Sequence, residues 1–431
     1  MSSSLSIAIA GAGVAGLAAA AFLADAGHRP VIFERFDAAR PVGAGLLIQP
    51  TGLAALERLG ARAAAEALGQ RIERLHGRAE PTGRTVFDLR YDMLAPGLAG
   101  LGMHRASLFH VLWQAVKARG VGLEAGVEAA GTEETAQGIT LLDSRGRRFG
   151  PFDLVVDASG ARSKLREGLG PVAIRPYRYG AVWGVGRHTM FERGVLQQRY
   201  RSARFMIGVL PIGRLPDDPA PLDAFFWSLP GGGHAAFAAG DLDGWREDVA
   251  VLWPQTRTLT AQFADATALA PARYAQLTVR RPWRGRLVLV GDAAHQTSPQ
   301  LGQGANMALL DGAALADALA AAPVADALPA YAARRRAHVR FYQAASALLT
   351  PFFQSDSAAA AWARDLAFGP MAKLPWLRRE MIRTLAGLKT GPFTVQTPEI
   401  LAGRDGAGSL APVQPNRLLS ARTASSRRHR S

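Results

Sequence analysis

A doubly wound α/β fold, with an inserted antiparallel sheet and a helical C-terminal section, is the architecture this sequence predicts. Three observations predict it. Residues 5–10 are an apolar run that enters Gly11-Ala12-Gly13-Val14-Ala15-Gly16 and then an alanine-rich stretch, and a second apolar run, 29–33, ends at Glu34. Residues 286–290 (RLVLV) repeat the order of strand, glycine loop and helix, running into GDAAHQTSPQLGQGANMALLDG at 291–312. Between these, residues 177–186, 196–210 and 222–229 alternate apolar and polar side chains, as antiparallel strands half-buried on one face do.

Composition bounds the function. A chain of 431 residues can bury the core of two interlocked domains. The absence of cysteine excludes disulfides, iron–sulfur ligation and thiolate zinc sites, and the nine histidines are scattered without an H-E-x-x-H pattern, so no metal site is expected. The net charge of +15 raises the question of nucleic acid, but the arginines are dispersed. Their dense clusters, Arg334–Arg336 and Arg427, Arg428 and Arg430, read as a solvated helix face and a loose tail, the alternative being a functional anion or membrane-surface patch. Residues 5–23 are apolar, but no positive segment precedes them and three glycines interrupt them. Neither a signal peptide nor a membrane span is expected, and the expected location is cytoplasmic.

In chain order, Gly11 permits a tight turn, Gly13 lets backbone approach a pyrophosphate and Gly16 allows helix–strand contact. Glu34, at the end of the second strand, can accept from ribose hydroxyls. The pattern serves NAD or FAD equally, and no second G-x-G-x-x-G follows a strand. Residues 51–59 read as a helix with Thr51 as N-cap and Gly60 as its stop. Residues 72–89 read as strands turning at Pro81-Thr82-Gly83, and 103–118 open with His104-Arg105 and become an amphipathic helix. Residues 121–127 form the next strand, and 139–143 with 147–149 flank a turn at Ser144-Arg145-Gly146. Residues 154–166 run from a strand through a glycine turn into a basic helix start. Trp183, Phe205, Met206, Phe225, Phe226 and Trp227 are pocket candidates, although alternation does not say which face is which. Residues 241–255 are helical. Pro323 and Pro329 mark a break before a long helix at 328–349, a turn follows at 350–356, and 358–387 hold two short helices around Pro370 and Pro375.

The ordered motif GDAAH, Pro299, G-x-G-x-N resembles the second flavin motif of the group A flavoprotein monooxygenases, the p-hydroxybenzoate hydroxylase-like aromatic hydroxylases. The resemblance runs from residue 5 to residue 385, with the motifs in the family's order. It implies a Rossmann-like FAD-binding domain (1–75, 100–172 and 278–325), an inserted antiparallel β-sheet substrate domain (76–99 and 173–277) and C-terminal helices (326–388); beyond it, loss of periodicity and a Gly-, Pro-, Ser- and Arg-rich composition predict a poorly ordered basic tail (389–431). It places Asp292 on the ribityl chain of FAD and Pro299, Gly302, Gly304, Ala305 and Asn306 against the flavin ring. Gly11, Gly13, Gly16, Glu34, Arg35, Gly45, Arg105 and the backbone of Val127 complete the implied cofactor site. A third motif matches at Gly160, Ser163 and Arg166, with Ser159 where the family has Asp and with Asp157 two residues earlier.

The implied activity is hydroxylation of an aromatic or quinone-like small molecule by NADPH or NADH and O2 through a flavin C4a-hydroperoxide. Backbone N–H groups at 302–306 are expected to favour the anionic reduced flavin. The alternative is an FAD-dependent reductase of a lipophilic or isoprenoid substrate without oxygen insertion; a halogenase is disfavoured because no W-x-W occurs. The implied partners are a small aromatic or lipophilic substrate and O2, in a monomer or homodimer. No catalytic base is assigned: His295, His104, His188, His234 and Tyr200 each read as structural.

Overall fold

The computed structural model describes residues 4–38 and 44–396. Its central sheet is parallel because its strands are apolar on both faces and need a layer on each. The spatial order is Trp283–Arg284, Leu287–Leu289, Leu154–Asp157, Ser6–Ala10, Arg29–Glu34, Gly122–Ala125, with only the first strand antiparallel. Ile7, Ile9, Val156 and Val288 are fully buried on one side, and Ala8, Val155 and Leu289 on the other. The helices Val14–Asp25 and Gly304–Ala321 cover the first side. Their alanines and glycines bring the backbones close: a Cβ on Gly312 would sit 2.9 Å from the Ala19 nitrogen. The chain leaves Ser6–Ala10 in one direction and returns to its other side at Leu154–Asp157. The crevice at the carboxyl ends of these central strands is thus a topological switch point, where doubly wound folds bind ligands.

The second sheet has seven strands, ordered Ala270–Ala272, Tyr179–Arg187, Leu222–Pro230, Phe205–Pro211, Val195–Arg201, Arg74–Ala79, Arg84–Arg90. All pairs are antiparallel except Val195–Arg201 with Arg74–Ala79. The small sheet of Gly45–Ile48, Gly100–His104 and Gln70–Ile72 joins the two bodies. It lies flat on the larger sheet because it carries glycine at the contacts. A Cβ on Gly45 would be 2.6 Å from the Ala224 Cβ, and one on Gly102 would be 2.1 Å from the Pro211 carbonyl oxygen.

Several sequence expectations change. Thr51 is not the N-cap: the helix is Pro50–Arg58, Gln49 occupies the N-cap position without a side-chain cap bond, and Pro50 sits at the first turn, where a missing N–H costs nothing. A helix at Arg62–Leu68 and a strand at Ala129–Thr135 are additions. Pro329 does not break the C-terminal helix, which runs unbroken from Val324 to Phe353 and also contains Pro351. Each proline removes a bond to the carbonyl four residues earlier, Ala325 or Ala347, and all four residues are exposed, so water satisfies what the helix loses. Ala358–Lys373 and Pro375–Leu385 follow, with Pro370 inside the first. Arg364, fully buried, pins that helix to the sheet by donating to the carbonyls of Ser202 and Phe352. Residues 389–396 do not belong to the poorly ordered tail expected at 389–431. Lys389 is buried, pairs with Glu380 and donates to the Pro392 carbonyl, and residues 397–431 lie outside the described residues. No helix among the described residues is long and apolar enough to cross a membrane.

Candidate active site

At the carboxyl end of the parallel sheet the Gly11–Gly16 turn is held from three sides. The Gly11 N–H donates to the Phe33 carbonyl at 2.8 Å, and a Cβ on Gly16 would lie 1.8 Å from the Gly11 oxygen. Glu34 accepts from the backbone of Ala12 (2.7 Å) and of Phe36 (3.1 Å), so it fixes the loop while each oxygen keeps a further lone pair for a ribose hydroxyl. Val127 donates its N–H to the Glu34 carbonyl at 2.9 Å, and Arg35 is exposed over the Phe36 ring. Gly13 differs from its neighbours: a Cβ there would meet nothing within 4 Å. It is the N-cap of an uncapped helix start, with φ −77° and ψ −175°, so free N–H groups face an open space.

The neighbouring strand ends in Asp157, which is fully buried. It accepts from the Ser159 N–H at 3.0 Å, the Ser159 hydroxyl at 2.5 Å and the Ser163 hydroxyl. Burial pushes this carboxyl above its usual range against those bonds and the Arg166 charge. Arg166 itself donates to the Ala293 and Ala161 carbonyls. In the third motif, Ser163 and Arg166 therefore hold the turn, while Gly160, at φ +83°, faces open space.

The 291–312 segment meets this same corner, since a Cβ on Gly291 would touch the Ala15 Cβ at 2.8 Å. Its shape is set from behind by a buried ionic cluster. Asp311 accepts from the Gly291 N–H (2.8 Å), His295 Nε2 (2.6 Å) and Arg335 Nε (2.7 Å). Burial alone would raise the Asp311 carboxyl, but the His295 and Arg335 charges hold it far below the ordinary range. Burial alone would lower His295, and Asp311 more than reverses that. The expected solvated cluster Arg334–Arg336 is thereby corrected at Arg335, while Arg334 and Arg336 are exposed as expected. Arg335 is 7% exposed and structural, Arg334 pairs with Asp317, and Arg336 lines the cleft described below. Asn306 is also spent on the scaffold: its Oδ1 accepts from the Gln49 N–H at 2.9 Å and its Nδ2 donates to the Gly302 carbonyl at 2.9 Å.

Gly45, Arg105, Asp292, Pro299, Gly302, Gly304 and Ala305 line one cleft of about 1290 Å³ between the two sheets and the C-terminal helices. Asp292 has no hydrogen-bond partner among the described residues and its side chain is accessible. The depth of the cleft still removes enough water to push its carboxyl up, with the His295 and Arg105 charges opposing. Gly302 adopts φ +60°, and the helix beginning at Gly304 has no side-chain cap. Open space over Gly13, Gly160 and Gly304, two uncapped helix starts and an unpartnered carboxylate together fit FAD, with its anionic pyrophosphate and its hydroxyl-bearing ribityl chain.

Beyond these residues the cleft is mostly apolar. Trp183, Met206 and Phe226 line it, whereas Phe205, Phe225 and Trp227 pack on the opposite face of their sheet with Trp245 and Phe263. Tyr274, which no sequence pattern singles out, also lines it. Its hydroxyl accepts from Trp183 Nε1 at 3.0 Å, and burial pushes its pKa up to about 12, so it carries a proton to offer. None of the described histidines lines the cleft. His104 caps a helix, His188 pairs with Asp223, His234 lies against the Ala181 and Gly231 carbonyls, and His295 belongs to the Asp311 cluster. Tyr200 lines it with its hydroxyl turned to Gln198.

Residues 4–182 and 245–345 match the family model described as FAD binding domain. The chain is 32% identical over 343 residues to the 3-amino-4-hydroxybenzoate 2-monooxygenase of Streptomyces cremeus, covering 74% of this chain and 79% of the relative. It is 27% identical over 388 residues to the 2-heptyl-3-hydroxy-4(1H)-quinolone synthase of Pseudomonas aeruginosa, covering 84% and 93%. The fold matches that of Klebsiella pneumoniae HpxO, solved with FAD and uric acid, with a TM-score of 0.75 over 90% of this chain and 97% of that one, at 22% identity. The two glycine loops that meet at Ala15, the unpartnered Asp292 and these relatives lead to one assignment: the chain belongs to the p-hydroxybenzoate hydroxylase-like, group A family of FAD-dependent aromatic monooxygenases.

Proposed function

We propose that this enzyme hydroxylates a ring that carries an apolar substituent, using FAD, NAD(P)H and O2. The observation that carries this reading is the shape and lining of the cleft. From Asp292 and Gly302 it continues past Trp183, Phe226 and Met206 to Phe341, Leu349 and Leu385 on the C-terminal helices, far more apolar wall than one small polar ring can cover. The similarity to an enzyme named for a heptyl-bearing quinolone supports it.

Bound at the inner end, FAD supplies the activation of O2 and its transfer to the ring. The chain's own work is to hold and orient. Asp292 accepts from the ribityl hydroxyls, the N–H groups at the Gly304 helix start favour negative charge on the ring system, and the apolar walls exclude water. The Tyr274 O–H donates to a polar atom on the substrate ring, with Trp183 fixing the phenol from behind.

The test is NAD(P)H oxidation with oxygen uptake and product mass, comparing matched quinolones with and without a heptyl chain. At about 0.8 kcal/mol per buried CH2, the alkylated member is expected to show at least about tenfold higher kcat/KM. A preference for a small carboxylated phenol would overturn the substituent. Reduced substrate with no oxygen incorporated would mark the reductase alternative. Tyr274→Phe should raise KM for the aromatic substrate by roughly tenfold, the loss of one neutral hydrogen bond, with FAD content unchanged.

A further inference from the structure

Among the described residues, seven of the ten large apolar side chains left exposed fall between 348 and 393. Trp362 (68% exposed), Trp376 (63%) and Phe393 (87%) are the largest, with Leu366 and Leu374 between them. On the helix Ala358–Lys373 the inner face is occupied: Phe368 packs on Phe352 and Phe353, and Ala361 and Ala372 are buried. Its outer face runs Trp362, Leu366, Pro370, Lys373, a spacing that sets all four on one exposed stripe. Single exposed apolar residues are ordinary, but a stripe of aromatics and leucines continued onto a second helix is not.

This surface adjoins the cleft. Leu348 and Met371 are exposed and also line it, so its outer wall is continuous with the apolar stripe. The charges around it are one-sided. Arg336 and Arg340, one turn apart at the cleft wall, are exposed and have no ion-pair or hydrogen-bond partner among the described residues; the same holds for Lys373 and Arg379. The acids of this stretch are all engaged: Asp356 by Arg178 and Arg204, Asp365 by Arg364, Glu380 by Arg383 and Lys389. Tryptophans and leucines bounded by free cations are what a helix lying in a lipid headgroup layer presents. A second copy of the chain fits less well, because a two-fold contact sets the patch against itself and brings those unneutralised cations together. The chain's net charge of +15 acts in the same direction.

We propose that the helices Ala358–Lys373 and Pro375–Leu385 dock on an anionic bilayer surface with the mouth of the cleft turned toward it. The docking stands on exposure and charge alone. Its consequence, that a lipophilic substrate passes from the bilayer into the cleft, rests on the function proposed above.

The test uses the full FAD-loaded chain with phosphatidylcholine vesicles, with and without phosphatidylglycerol, read by flotation and tryptophan emission. Binding that requires phosphatidylglycerol, weakens with salt and shifts emission to the blue is expected. Trp362→Ser with Trp376→Ser, and separately Arg336→Gln with Arg340→Gln, should each weaken vesicle binding by about tenfold or more. Neither tryptophan lines the cleft, so the first pair should leave turnover of a water-soluble substrate unchanged. Absence of lipid-dependent binding overturns the proposal. So does a dimer that the tryptophan pair converts to monomer while vesicle binding persists, which would assign the surface to a second copy. Because binding is read without turnover, failure of the alkyl preference leaves it intact, and its failure leaves the alkyl preference intact.

Discussion

Replacing Gly13 by aspartate is expected to give a folded protein that no longer retains FAD. Gly13 sits in extended backbone at the N-cap of the first helix, a position where aspartate is among the most favoured residues, and its Cβ would meet nothing in the protein. The helix and the sheet therefore lose nothing. The same carboxylate occupies the open space at the helix start, where the pyrophosphate of FAD is proposed to lie. Like charges in such contact cost several kcal/mol, so flavin affinity should fall by at least about 100-fold. Flavin released per chain, together with thermal unfolding of the flavin-free protein, separates the two effects. A yellow Gly13→Asp protein with stoichiometric FAD would move the pyrophosphate away from this loop. Gly16→Ala is the contrasting control: its Cβ would sit 1.8 Å from the Gly11 oxygen, so it should lose stability as well as flavin.

Asp311→Ala is expected to cost about 3–5 kcal/mol of stability, because it leaves the Arg335 charge, the His295 ring and the Gly291 N–H buried without their acceptor. The loss should depend on pH in a direction that can be worked out. Asp311 has a depressed folded pKa, so its contribution is present above the unfolded value of about 3.9 and disappears as pH falls through the folded value. His295 has a raised folded pKa, so its contribution is complete below the unfolded value of about 6.5 and disappears as pH rises through the folded one. The gap between wild type and variant should be widest from about pH 4 to 6.5 and narrow on the alkaline side. Urea unfolding at a series of pH values measures it. A gap that stays constant into the alkaline range would mean that His295 is not charged in the cluster. Asp311→Asn, which keeps a carbonyl acceptor, should lose less.

The Asp311 cluster also shows where sequence reading stops. Arg334–Arg336 looks like three equivalent solvated arginines, yet the helix rotates each by about 100° from the last. One meets a buried carboxylate, one a surface aspartate and one the cleft. Alternation in 222–229 marked Phe225, Phe226 and Trp227 as pocket candidates, but a two-residue period gives two faces without labelling them. The helix Leu242–Leu252 covered Phe225 and Trp227 and left Phe226 to the cleft. Tyr274 was invisible because its partner, Trp183, lies 91 residues away.

The sequence alone determined what is local: two glycine loops placed after apolar strands, the acid at the end of the second strand, the Asp292 motif and the family these motifs indicate. Each is set by backbone sterics and short-range spacing, which a few consecutive residues encode. The tertiary structure alone decided which residues share a space. It brought the loops together at Ala15, turned Asn306 to the scaffold, and made Tyr274 and the C-terminal helices walls of the cleft. Most of those outcomes depend on contacts between segments tens to hundreds of residues apart, where burial and charge pairing, rather than any local pattern, select the arrangement.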